Sequence, residues 1–144
     1  MTVDRTKVRV YFSLFGDTFP LDYVTEKLGI TPSHTYRKGD VIPNRSTTLF
    51  RKETSWDLDT GYQESLDVNE QLQQIITQLR NKVSIISEIK KIYSVECKFF
   101  IVVEIEEGNT PGLYLDRDII NFASNIEAEF VIDLYANPYK EYNE

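Results

Sequence analysis

One stretch of the chain gathers most of the residue types that recognise anions and planar groups. HTYRKGDVIPNRSTTLFRKETSWDL, residues 34–58, holds the only histidine and the only tryptophan. His34, Tyr36, Arg37, Lys38, Arg45, Arg51 and Trp56 are the candidate ligand- or partner-binding residues, with Lys52 and Phe50 beside them. Arginine forks match carboxylate and phosphate oxygens two at a time, and aromatic planes stack on bases and rings. Each residue also has a plainer reading. Lys38-Gly39-Asp40 is a turn signal. Trp56 alternates with Ser55 and Asp57 on a short strand, where core burial is the usual fate of an indole.

Catalytic signatures are missing from the sequence. It contains no GxxxxGK[ST] phosphate loop, GxSxG elbow, HExxH or CxxC. One histidine and one cysteine cannot build a nitrogen-and-sulfur metal site within this chain. Cys97 opens an apolar strand and reads as a small buried hydrophobe before it reads as a nucleophile. Glu104, Glu106 and Asp133 fall on strands and could share a proton or hold a hard cation only if buried together. The expectation is a non-enzyme with no cofactor and no metal.

Charge narrows the partner. The 144 residues carry a formal net charge of −7. Residues 1–56 hold nine basic and six acidic groups, 9 − 6 = +3, and residues 57–144 hold seven and seventeen, 7 − 17 = −10. An isoelectric point near 4.8 repels phosphate backbones, so nucleic acid is an unfavoured partner and another protein the expected one. No apolar run approaches the ~20 residues that span a bilayer, and Asp4 and Arg5 interrupt any signal-like start. With a lone cysteine, this points to a cytoplasmic protein.

The elements that must position these residues follow from periodicity. KVRVYFSLFG (7–16) alternates as a strand. LDYVTEKLG makes a short helix with Asp22 at its N-cap and Gly29 at its end. DVNEQLQQIITQLRNKVSIISEIKKIY carries a helical stripe that changes phase near Asn81, which gives two consecutive helices or one kinked helix, with Asp67 and Glu70 at capping-box spacing. CKFFIVVEIE (97–106) is apolar on both alternations, as in a central strand covered on both sides. LDRDIINFASNI (115–126) is a further amphipathic helix, and EFVIDLYA (129–136) closes the chain as a strand. Leu21-Asp22 and Leu115-Asp116 follow similar strand-loop segments, an echo of two β-α halves. Residues Val41 to Lys52 contain Pro43, Asn44 and a run of Ser and Thr, and are expected to form a mobile, irregular loop.

These elements assemble into an α+β two-layer sandwich, a mainly antiparallel sheet of four to five strands with helices on one face. One domain spans 1–144, with its core at about 7–136 and frayed ends at MTVDRT and 137–144.

Several features together resemble a bacterial family known as domain of unknown function 4279: an opening strand ending in Phe-Gly, the phrase LDYVTEKLGITPSHTYRKGD, a Trp in WDL some sixteen residues later, the helical middle and VIDLY. The likeness runs from about Val8 to Tyr135. It implies a compact α+β domain, with Arg37, Gly39, Asp40 and Trp56 part of a family-wide feature. The functional expectation is a protein-interaction domain, in one concrete form a toxin-neutralising immunity protein whose acidic surface occludes a basic active site. The alternative is a ligand-binding or regulatory module that uses the basic loop 34–56 for an anionic ligand or nucleic acid.

Overall fold

The computed structural model describes residues 5–140. Eleven elements run in the order β1 (Lys7–Gly16), α1 (Leu21–Leu28), β2 (His34–Tyr36), β3 (Thr54–Asp59), β4 (Gln63–Glu64), α2 (Val68–Leu79), a 3-10 turn (Arg80–Lys82), α3 (Val83–Tyr93), β5 (Glu96–Ile105), α4 (Arg117–Asn125) and β6 (Glu129–Ala136). They form one open mixed sheet, ordered β2-β3-β1-β5-β6, with β4 also paired to β1. Six strands therefore replace the expected four to five. β5 and β6 run parallel, whereas the other pairings are antiparallel. The short pieces β2 and β4 carry too little alternation to announce themselves in sequence.

β1 shows how the layers arise. Its even positions Val8, Val10, Phe12 and Leu14 are fully buried under the helices, and its odd positions turn to the other face. β5 repeats the pattern with Cys97, Phe99, Ile101 and Val103. Its reverse face is only half-buried apart from Val102, so the expected burial on both sides is not met. Trp56 on β3 joins the helix-side core, where its Nε1 donates to Thr25 Oγ1 on α1 at 3.0 Å. Cys97 is buried there too, and burial pushes its thiol up to about 11, which suits packing rather than attack.

Helix ends explain two further departures. α1 starts from Pro20 without a side-chain cap, and Asp22 instead lies in the first turn, at the positive end of the helix dipole. Gly29 closes it at φ 67°, donating to Thr25 O. Asp67 does cap α2, accepting from Asn69 N at 3.0 Å, but its own amide donates to Ser65 Oγ, so Glu70 completes no capping box. The phase change appears as the 3-10 turn, with Asn81 at φ −94°, ψ 15°. The β-α echo survives in part. β1 and β5 are adjacent, and Asp116 caps α4 through Ile119 N at 2.9 Å, a role Asp22 does not share.

Residues 137–140 are tied down. Asn137 N donates to Ile105 O at 2.9 Å, and Lys140 N donates to Glu107 Oε1 at 3.2 Å. The remainder of the expected fraying, at 1–4 and 141–144, lies outside the described residues. Among the described residues no helix is long and apolar enough to cross a membrane.

Candidate functional site on the open face of the sheet

The helices cover one face. On the other, alternation leaves Arg9, Tyr11, Ser13 and Phe15 of β1, Ser55, Asp57 and Asp59 of β3, and Lys98 and Phe100 of β5 pointing away from the core. Cross-strand pairing makes neighbours of residues distant in sequence. Ser13 lies opposite Asp57, and Tyr11 opposite Phe100. Those two rings stack at 4.6 Å and 9°, and the Arg9 guanidinium lies 4.7 Å from the Tyr11 ring centre.

The segment between β2 and β3 supplies a wall. It is cross-paired as a hairpin rather than the irregular loop expected from its composition. Gly39 N donates to Arg51 O at 2.9 Å, Arg51 N to Asp40 O at 2.7 Å and Ile42 N to Leu49 O at 2.8 Å, with Val41 bridged to Phe50. Asp40 accepts from Arg37 N at 2.8 Å across the turn that Gly39 enters at φ 93°. Lys38 N donates to Thr54 Oγ1 at 3.1 Å, and its ammonium pairs with Asp17.

Between hairpin and sheet lies an open groove of about 620 Å³. Three features of its lining and the residues directly behind it matter. The first is a buried polar chain in which Ser55 Oγ donates to Asp57 Oδ1 at 2.6 Å and lies 2.8 Å from Ser13 Oγ. Burial pushes the Asp57 carboxyl above its ordinary range, with Ser55, Ser13 and the nearby His34 only partly opposing it. No cation pairs with Asp57 among the described residues. The second is a saturated cluster at one end. Asp59 accepts from Arg9 Nε at 3.0 Å and Nη2 at 2.5 Å, from Gly61 N at 2.8 Å, and meets His34 Nε2 at 2.9 Å. Burial alone would raise Asp59, but these bonds outweigh it and hold the carboxyl low; the same contact raises Arg9. The third is a pair of cations without carboxylate partners among the described residues. Arg51 sits 4.0 Å over the Tyr36 ring, and Lys98 5.6 Å over Phe15.

Of the residues singled out from sequence, the groove brings together His34, Tyr36 and Arg51. Arg37 lies in the turn and does not line the groove, the Lys38 ammonium pairs with Asp17, Arg45 lies in the bend beyond the Val41–Phe50 bridge, and Trp56 is on the reverse face, fully buried. Sequence reasoning missed Arg9, Ser13, Ser55, Asp57, Lys98 and Phe100. The signal was present as the polar alternation around Trp56 and along β1, but only strand pairing assembles it. The carboxylates Glu104, Glu106 and Asp133 do not enter the groove; Glu106 is engaged by the Asn137 side chain.

The serines and the histidine at the groove are already engaged. Both serines are buried and linked to a carboxylate, whereas the His34 ring is spent on Asp59. No curated protein and no solved structure matches the chain. A family model does, over residues 6–137, the stretch that contains every strand, every helix and the groove. The chain thus belongs to the family described as a domain of unknown function, DUF4279.

Proposed function

We propose that this domain is a non-enzymatic recognition module whose open-face groove holds an aromatic group bearing a hydrogen-bond donor at one end and an anion at the other. One observation carries the reading: charges of both signs, without ion-pair partners among the described residues, are held around an aromatic floor in a single groove. Asp57 would accept from the donor, Arg51 and Lys98 would meet the anion, and the stacked Tyr11–Phe100 pair would meet the ring from one side. A buried carboxylate that has lost water without gaining a cation is destabilised until a donor arrives, so binding there relieves a cost already present in the fold.

Charge balance supports this over the rivals. The lining has Arg9, Arg51 and Lys98 against Asp40, Glu53 and Asp57, 3 − 3 = 0 without counting His34. A polyphosphate would meet three carboxylates, and a broad basic toxin surface would meet three cations. The bound group can come from a free small molecule or from a side chain of another protein, since the same chemistry serves both.

The test is an NMR titration of the amide spectrum with 4-guanidinobenzoate, benzoate and benzamidine. The amphoteric probe is expected to bind at least about tenfold more tightly than either single-ended one, with shifts at residues 9–15, 34–57 and 98–100. Asp57→Asn should erase its advantage over benzoate, and Arg51→Ala with Lys98→Ala its advantage over benzamidine. Equal binding of the three probes, or shifts elsewhere, would overturn the proposal. To separate the two sources, the same guanidinobenzoate group is presented on a short peptide, linked through a ring substituent that leaves its guanidinium and its carboxylate both free. Tighter binding than the free probe points to a protein partner, and weaker binding to a small molecule.

A further inference from the structure

The two ends of the sheet are built differently. β2 at one end is three residues long and runs into the hairpin, whereas β6 at the other is eight residues, Glu129–Ala136, paired to β5 without a break in register. Edge strands in soluble proteins are usually blunted by shortness, lysine, proline or a bulge. β6 has none of these. Among the described residues its outer side pairs with no strand, and residues 137–140 turn back to Ile105 and Glu107. The helix layer stops short as well. α4 packs Ile119, Phe122, Ala123 and Ile126 into the core, leaving Ile132 41% and Leu134 50% exposed.

We propose that β6 is a strand-addition site, and that its occupant is an extended segment of a partner protein alternating apolar and basic residues. The pattern follows from which residue faces which way. Phe130, Ile132 and Leu134 share the helix side, whereas Glu129, Asp133 and Tyr135 share the open side. β6 contains two acids and no base, and Asp133 has no ion pair among the described residues. An added strand would hydrogen-bond to the free backbone edge, lay apolar side chains beside Ile132 and Leu134, and set Lys or Arg beside Glu129 and Asp133. A second copy of this chain is the poorer occupant. In the register that joins the apolar residues of two copies, Glu129 and Asp133 of both strands fall on one side with no base among them, and like charges across strands repel. The surrounding field agrees, since residues 57–144 carry the excess of acids.

The experiment is a fluorescence-anisotropy titration of the whole chain with labelled peptides of about eight residues, matched to the strand. One alternates valine and lysine, a second alternates valine and glutamate, and a third has the lysine composition with two valines replaced by proline. The valine-lysine peptide should bind with a micromolar constant, on the order expected for a short added strand, and shift the amides of residues 129–136. The glutamate peptide should bind at least about tenfold more weakly. The proline peptide should lose as much despite equal charge, because it cannot complete the ladder. Asp133→Lys should weaken the lysine peptide and improve the glutamate one. Equal binding of the lysine and proline peptides would reduce the effect to charge alone and sink the proposal. So would shifts confined to the groove, or self-association of the unliganded chain through β6.

Discussion

The two faces of the one sheet bury their residues on different terms. On the helix side, Phe12, Trp56 and Phe99 are sealed at 0% exposure, and what matters there is apolar volume and fit. On the open side, only the hairpin arches over the strands, yet Ser13, Ser55 and Asp57 are nearly as deeply buried at 5%, 1% and 8%. A buried apolar side chain needs only neighbours, whereas a buried polar one needs particular partners. The open face supplies those partners at Asp59 and withholds the cation at Asp57. That shortfall is what separates a site from a second piece of core.

The contrast can be broken first where burial is greatest. Trp56→Ala should cost about 3–5 kcal/mol in denaturant unfolding, because it empties the largest core volume and strands the Thr25 hydroxyl. A loss below about 1 kcal/mol would mean the helix side is packed too loosely to set the fold.

A smaller effect should come from the saturated end of the open face. Asp59→Asn should cost about 1.5–3 kcal/mol near neutral pH, since it leaves the Arg9 guanidinium without its carboxylate. The sign with pH is fixed. The folded Asp59 carboxyl is held below its unfolded value, so its contribution is complete above the unfolded pKa of about 3.9 and is lost as pH falls through the folded one. Unfolding measured across the acid range should show that decline in the parent and a shallower one in the variant.

The hairpin should be next. Its cross-strand bonds predict that the amides of Ile42 and Arg51 exchange with solvent at least about tenfold more slowly than an open loop allows. Unprotected amides at both positions would remove the groove's wall. The smallest effect is opposite in sign to that at Asp59. Asp57 is raised on folding, so its ionisation carries a cost that is absent below about pH 3.9 and grows as pH rises through the folded value. Asp57→Asn should therefore gain stability relative to the parent at neutral pH and not in acid. A uniform loss at every pH would show that the carboxylate is already satisfied, and would weaken the case for the groove.

Legibility in the sequence tracked the range of the interactions involved. Val8, Val10, Phe12 and Leu14 announced β1, and Leu72, Ile75, Ile76 and Leu79 announced α2, because burying one face imposes a period on neighbouring residues. The hairpin was hidden, since Pro43, Asn44 and the Ser-Thr run serve a tight bend as readily as an irregular loop. Asn44 at φ 60° is that bend. The pattern EFVIDLYA marks β6 as a strand, but its parallel pairing and bare outer edge depend on how α4 returns the chain to the sheet.

The amino-acid order by itself determined the helices, the strands β1, β3, β5 and β6, the acidic balance and the family, because these depend on residues a few positions apart or on sums over the chain. The alternation of Trp56 with Ser55 and Asp57 already pointed to its burial, but only tertiary structure decided that Asp57 faces outward into the same groove as Arg51 and Lys98. Adjacent residues on a strand point to opposite faces, and it is the pairing of β1 with β3 and β5 that brings residues 13, 57 and 98 to one surface.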